Sequence, residues 1–287
     1  SVGIFGKEIL HKGIVTVGNG GTGLYSEGGN VTLDTTSKIN TGANKAVGVF
    51  TKGAGQTVTA TAGSTMTIGD SSFGFLNEGK GNTINSNIIS QTLRNDGTYI
   101  YSSDTTGTVN NNTTLTSTGS YNYGLYSAGT VRNNADINFG TGLGNVGIYS
   151  THGGTATNSV GRSVTVGASY IDPNNSLNNR YAVGMAAGFN GDGNPARAYT
   201  GSVVNEGTIN VNGPYSIGMY GTEAGTKVYN GTSKGSTATI NLGADNTTGM
   251  YLDNGAYGYN YGTIRSTGSG LKKLAGVVVK NGSTIEN

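Results

Sequence analysis

Apolar residues along this chain come in short bursts, each broken by Gly, Asn, Ser or Asp. The clearest burst centres on a glycine: Val2-Gly3-Ile4-Phe5, Thr22-Gly23-Leu24-Tyr25, Val47-Gly48-Val49-Phe50 and Phe73-Gly74-Phe75-Leu76. It returns as Tyr123-Gly124-Leu125-Tyr126, Val146-Gly147-Ile148-Tyr149, Val183-Gly184-Met185-Ala186, Ile217-Gly218-Met219-Tyr220, Thr248-Gly249-Met250-Tyr251 and Ala275-Gly276-Val277-Val278. One further copy is degenerate, with Tyr99-Ile100-Tyr101 where a glycine unit is due. Successive glycines stand 20, 25, 26, 50, 23, 37, 34, 31 and 27 residues apart, the 50 spanning two steps across the degenerate copy. A short strand that returns about every two dozen residues is the mark of a solenoid. With strand and turn content throughout, it predicts an all-β chain: a right-handed parallel β-helix of about eleven coils with three short strands in each.

Residues 203–221 display one coil. Val203-Val204-Asn205 is a strand closed by the Asn205-Glu206-Gly207 turn, and Thr208-Ile209-Asn210-Val211 alternates polar and apolar as a half-buried strand does. Asn212-Gly213-Pro214 is turn chemistry, and Ile217-Gly218-Met219-Tyr220 is the third strand. In that strand, simple alternation turns both neighbours of the glycine inward and sends the glycine and the following aromatic outward. Phe5, Tyr25, Phe50, Tyr101, Tyr126, Tyr149, Tyr220 and Tyr251 then form one stripe, either a structural ladder or a ring platform for sugars or a protein partner. Asn133, Asn158, Asn205, Asn230 and Asn281 close the first turn of their coils. Asn tolerates left-handed backbone and bonds to the same residue type in the next coil.

Composition sharpens this picture. Only 34% of the 287 residues are hydrophobic and 11% charged, with 52 glycines and three prolines. A narrow apolar column wrapped in turns tolerates that balance, and few prolines leave backbone N–H groups free for long ladders. The net charge is +2 with the two signs scattered, so nucleic acid is a poor partner. No apolar run is long enough for a membrane-spanning helix, and the absence of cysteine decides nothing about compartment. The chain reads as a single segment, 1–287. Ser1 in place of methionine and an end at Glu286-Asn287, inside another turn unit, suggest a piece of something longer.

A regular coil carries no chemistry, so function is expected in the insertions near 167–183 and 186–201. The first offers Tyr170, Asp172, Arg180 and Tyr181; the second offers Asp192, Asn194, Arg197 and Tyr199. Adjacent coils would set these loops side by side on one flank. Tyr and Arg dominate binding hot spots, and Asn and Asp suit sugar hydroxyls. Tyr257, Tyr259 and Tyr261, in a loop, alternate onto one face as a second candidate.

Metal and enzyme signatures are weak. Asn190-Gly191-Asp192-Gly193-Asn194 opens like a calcium loop, but Gly201 stands where the closing acid belongs, and no cofactor is expected. His11 and His152 lack ligand-like spacing. Gly231-Thr232-Ser233-Lys234-Gly235 fits G-x-S-x-G without a strand–helix elbow, and the G-x-G-x-x-G match at 18–23 has no following helix. The one catalytic constellation available is Asp172 and Asp192 with Arg180 and Arg197, the carboxylate set a carbohydrate-active enzyme would need. The expectation is no enzyme.

The units Val-Asn-Glu-Gly-Thr-Ile-Asn (204–210), Ser-Ile-Gly-Met-Tyr-Gly (216–221), Tyr-Gly-Leu-Tyr-Ser (123–127) and Val-Gly-Ile-Tyr-Ser (146–150) resemble the passenger domains of very large fusobacterial type V autotransporter adhesins, the RadD-like and galactose-inhibitable ones among them. The resemblance covers essentially the whole chain and supplies no residue-level binding motif. It implies a cell-surface rod, anchored to a Gram-negative outer membrane by a C-terminal barrel not present here. Such a rod binds partner bacteria, a host-cell receptor protein or a glycan, in coaggregation and virulence. The alternatives are a purely structural stalk that presents a distal tip and a carbohydrate-active β-helix enzyme.

Overall fold

The computed structural model describes residues 1–191 and 194–287. The chain winds as a parallel β-helix with three faces. The first face is an 11-stranded parallel sheet running from Val2–Gly6 to Ala275–Val279, and each of its strands carries one glycine unit or the degenerate copy. The second, also 11-stranded, runs from Ile9–His11 to Thr284–Glu286. The third is split into a 3-stranded sheet ending at Thr65–Thr67 and a 7-stranded sheet beginning at Ser90–Leu93. The expected coil is therefore observed. In-register coil-to-coil pairing follows because similar strands recur in the same order, while turns of different length absorb steps that range from 20 to 37 residues.

The interior is one column. Leu24, Val49, Phe75, Ile100, Leu125, Ile148, Met185, Met219 and Met250 stack along the first face and are buried, meeting Val131, Val203 and Val228 from the second face and Ile137, Ile209 and Ile240 from the third. At the corner beyond the first-face core, Ser26, Thr51, Asn77, Ser102, Ser127 and Ser150 are also buried. Each burial of a Val, Leu or Ile contributes about 1.5–3 kcal/mol, which makes this column the main source of stability.

The glycine strand departs from simple alternation. A Cβ added at Gly147 would lie 2.6 Å from the Gly184 carbonyl oxygen and 2.6 Å from Val164 Cγ1 in the core, so the glycine faces inward. The residue before it faces outward instead: Val146, Val183 and Ile217 pack on the outer surface against Tyr149, Tyr220 and Tyr251. Two successive residues, Gly147 and Ile148, thus point into the column. Simple alternation predicts both neighbours of the glycine inside. Only the residue after the glycine faces in as alternation predicts; the glycine takes the inward place beside it because the next coil's carbonyl and a core side chain leave no room there for a Cβ.

The aromatic stripe forms as expected. Tyr25 stacks on Phe50 at 4.9 Å between centroids, Tyr101 on Tyr126 at 4.9 Å and Tyr126 on Tyr149 at 4.8 Å. Phe5 meets Tyr25 at 5.2 Å and Tyr220 meets Tyr251 at 5.9 Å. The asparagines also form a ladder. The Nδ2 of Asn111 donates to Asn133 Oδ1 (2.8 Å), Asn133 to Asn158 (3.0 Å), Asn158 to Asn205 (3.0 Å), Asn205 to Asn230 (3.0 Å) and Asn230 to Asn260 (2.9 Å). These residues end strands of the second face, so their backbone is extended and not left-handed. Asn281 is not on the ladder. It takes a left-handed turn and donates to Asp253, and Asn287 accepts from Asn260 in its stead.

Candidate functional site

Two loops interrupt the coil, one at each end of the strand Val183–Ala187 on the first face. The entry loop, 169–182, leads into that strand from the third face. Tyr170 and Arg180 exchange backbone hydrogen bonds of 2.9 Å each and so close its neck. Asp172 Oδ1 accepts from the N–H groups of Asn174 (2.9 Å) and Asn175 (3.3 Å), and Oδ2 accepts from Asn178 Nδ2 (2.8 Å). The Asn178 amide, followed by the Asn174 N–H, holds the Asp172 carboxyl below the ordinary carboxylate range. Asn175 caps the short 3₁₀ turn Ser176–Asn178, and Asn179 accepts from Asp172 N–H while donating to the Tyr181 hydroxyl at 3.3 Å. Asp172 is thus the organiser of its own loop.

The exit loop, 188–201, leaves the other end of the strand. Phe189–Asn190 pairs antiparallel with Ala198–Tyr199. Asn194 caps Pro195–Arg197, accepting from Ala196 N–H at 3.1 Å, and the Arg197 guanidinium lies 5.7 Å from the Phe189 ring centroid. Tyr199 stacks on His152 with centroids 3.7 Å apart. Asp192 lies outside the described residues.

The two loops do not lie side by side on one flank, because they expand different turns of the helix. The entry loop replaces the corner between third and first faces, and the exit loop replaces the corner between first and second. Glycine-to-glycine spacing reports only that a coil is long, and leaves open which of its three turns has grown. Asp172 and Arg180 therefore stand at one edge of the first face and Arg197 at the other, and the four-residue constellation is not assembled from its described members.

The structure instead gathers aromatic groups on either side of the entry loop. On the side toward the C-terminal coils, Tyr181, Tyr215, Tyr220 and Tyr251 surround a groove of about 410 Å³. Val183 and Ile217 lie along its floor, with Asn246, Thr248 and Asp253 completing the lining. On the side toward the N-terminal coils, Tyr121, Tyr123, Tyr170 and Arg180 line a second groove of about 400 Å³ with Asp96, Gly144 and Asn178. Arg180 and Tyr181, both predicted site residues, are neighbours that face different grooves. A side chain at Gly144 would fill the second groove, since its Cβ would lie 2.9 Å from Arg180 Cβ and 3.0 Å from the Tyr121 ring.

A single rule places most of these groups. The residue three before each first-face glycine sits in the turn that enters the strand: Gly20, Lys45, Ser71, Asp96, Tyr121, Gly144, Tyr181, Tyr215, Asn246 and Lys273, with Tyr99 counted as the glycine of its coil. All except Tyr181 have positive φ, and, apart from Lys273 in the last coil, their N–H groups bond to the corresponding turn of the next coil, as in Asp96 to Ser120 and Tyr121 to Leu143. Tyr121 (φ +63°) and Tyr215 (φ +63°) are bulky residues in a conformation that favours Gly, Asn and Asp. The aromatics at this position, 121, 181 and 215, occur only in the coils around the entry loop. Ser169, at the root of that loop, donates its N–H to Pro214 O (3.1 Å) and its hydroxyl to Tyr215 O (2.8 Å), which locks Tyr181 and Tyr215 into adjacent coils.

Sequence reasoning missed Tyr121, Tyr215, Asn246 and Asp253. The spacing to the glycine would have found the first three. Asp253 follows the glycine by four and extends the same strand, Thr248–Asp253.

The third predicted group is on a strand and not in a loop. Tyr257–Asn260 belongs to the second face, and Tyr257, Tyr259 and Tyr261 do share its outer side, 4.7 Å and 5.8 Å apart in succession. Gly258 faces inward against Leu252 and Ile285. Tyr229, unforeseen, stacks on Tyr259 at 4.4 Å with the rings nearly parallel, and the Tyr261 hydroxyl donates to Glu286 at 2.9 Å.

Among the described residues, no group of three His, Asp or Glu side chains could hold a metal ion, and no helix is long and apolar enough to cross a membrane. A family model described as the BigA third pectate lyase-like domain matches residues 6–263, most of the chain. In that description, pectate lyase-like is a relation of fold. No curated protein and no solved structure matches.

Proposed function

The chain belongs to the family of the BigA third pectate lyase-like domain, surface-associated passenger-like β-helices, and from that premise we propose that it is part of a bacterial surface adhesin. It attaches to partner bacteria or host cells through the two tyrosine-lined grooves beside the entry loop. The observation that carries this reading is the use of tyrosine at the turn position three before the glycine. In every other coil that position takes Gly, Asn, Asp, Ser or Lys, and the three aromatics cluster where a loop also projects. At 121 and 215 tyrosine is backbone-unfavourable, at none of the three does it add to the core, and exposed rings with adaptable polar neighbours are what interfaces use. We further propose the type V route, with anchoring to the outer membrane by a C-terminal barrel, as the resemblance to fusobacterial adhesins implies.

Binding without catalysis is part of the proposal. Both Asp172 oxygens already accept hydrogen bonds within the loop, and Arg180 and Arg197 stand at opposite ends of one strand. A structural stalk is the second reading, favoured by the two first faces running unbroken through all coils.

The test is attachment of the purified, labelled chain to partner bacteria and host cells, alongside a variant with 170–181 replaced by a short Gly-Asn turn. Saturable attachment lost in that variant supports the adhesin. Attachment by neither leaves the stalk.

A further inference from the structure

We infer that the groove on the C-terminal side of the entry loop is a binding site for a neutral pyranose sugar. This rests on the adhesin reading and deepens it by naming the ligand class. The groove spans three coils and is built in register. Tyr181, Tyr215 and Asn246 come from the turn three before the glycine, and Val183, Ile217 and Thr248 from the position just before it. Tyr220 and Tyr251 come from the aromatic stripe and Asp253 from the strand end. Tyr181 and Tyr215 are each 46% exposed, so their rings are available above an apolar floor.

A pyranose has a C–H face that packs on an aromatic ring and a rim of hydroxyls that both donate and accept. This groove supplies rings for the face. For the rim it supplies a carboxylate, an amide and a hydroxyl, on Asp253, Asn246 and Thr248. Both hydrogen bonds that Asp253 accepts, from Asn254 N–H (2.9 Å) and Asn281 Nδ2 (2.6 Å), go to Oδ1. Oδ2 keeps its acceptor capacity for a sugar hydroxyl. The charged groups at the groove are this carboxylate and the Lys280 ammonium, 5.7 Å from the Tyr251 ring centroid; they offset one another, so the site carries no net charge to draw an anionic sugar. A proline-rich peptide would use the rings but has no hydroxyl rim to engage the carboxylate.

The experiment is saturation-transfer NMR and titration of the soluble chain with the methyl glycosides of glucose, galactose, mannose and N-acetylglucosamine. Sialic acid and a polyproline peptide are the comparison ligands. Single-sugar affinity on the order of millimolar is expected for at least one neutral glycoside, weakened about tenfold by Tyr215→Asn and by Asp253→Asn. Arg132→Ala, exposed on the second face and outside both grooves, leaves it unchanged. Asn at 215 preserves the turn, since Asn246 holds the equivalent place at φ +57°, and an unaltered melting temperature checks this. The inference is overturned if no neutral glycoside saturates, if Tyr215→Asn binds as well as the parent, or if the peptide or sialic acid binds instead. Cell attachment that no glycoside competes defeats the sugar assignment alone. Glycoside binding without cell attachment defeats the adhesin reading alone.

Discussion

At the residue scale, Gly147 shows how little freedom a coil allows. A methyl group there would sit 2.6 Å from both the Gly184 carbonyl oxygen and a Val164 methyl. Gly147→Ala is expected to destabilise by about 1–3 kcal/mol, read as a lower melting temperature, because neighbouring coils have to separate. The degenerate coil solves the same position differently. Tyr99 points inward, fully buried, edge-on to Phe75 at 5.5 Å, and its hydroxyl bonds to Ser86 Oγ (2.6 Å) and Thr113 Oγ1 (3.3 Å). Burial pushes its pKa up to about 12, against the opposing effect of those two hydroxyls. A pKa raised in the folded state means full stability below the unfolded value near 10, and loss as pH climbs from there through about 12. Tyr126, raised to about 12 chiefly by burial in the stripe, adds to the same limb. The chain should therefore unfold in alkali, with the Tyr99 phenolate absorbing only as structure is lost. Tyr99→Phe, which removes one of these groups, should shift that limb upward while costing about 1–2 kcal/mol at neutral pH.

At the element scale, the asparagine ladder and the entry loop are the informative pieces. Asn158 is completely buried between Asn133 and Asn205, so Asn158→Ala orphans a donor on one side and an acceptor on the other. The expected cost is about 2–3 kcal/mol. In hydrogen exchange, protection should fall first in the strands Thr130–Asn133 and Ser202–Asn205. Asn260→Ala, at the partly exposed end of the ladder, should cost less. The entry loop behaves as a unit of its own. Asp172→Ala removes three hydrogen bonds that lie wholly within the loop, so it should loosen 170–181 while the melting temperature of the rod is unchanged. Because the Asp172 carboxyl is held below its ordinary range, its contribution persists above the unfolded pKa and fades only as pH falls beneath it. Acid should mimic the substitution, seen as sharpened backbone NMR signals from the loop.

At the scale of the whole molecule, the protein is a shaft whose coils each contact their neighbours, so local changes stay local. Excising 170–181 should leave circular dichroism and melting almost unaltered, since the core column runs through Ile148, Met185 and Met219 without it. It should abolish attachment if the shoulder it forms is the binding region. By contrast, Ile148→Asp buries an unpaired charge in the column and should unfold the rod, by about 3 kcal/mol or more.

The amino-acid sequence by itself determined the solenoid, its count of coils and its three strands per coil. These follow from a local pattern repeated often enough that chance is averaged away. It also determined the aromatic stripe and most of the asparagine ladder, because in-register stacking turns equal position in the repeat into contact in space. Only the tertiary structure decided which way the glycine strand faces. Alternation was the natural expectation, but Gly147 and Ile148 point inward in succession, because without a Cβ the glycine lets the Gly184 carbonyl and Val164 close on it. Only the tertiary structure decided where the long loops emerge, since spacing between glycines does not record which turn grew. It also decided the site. Tyr181, Tyr215, Asn246 and Asp253 lie far apart along the chain and enclose one groove because winding sets their coils side by side.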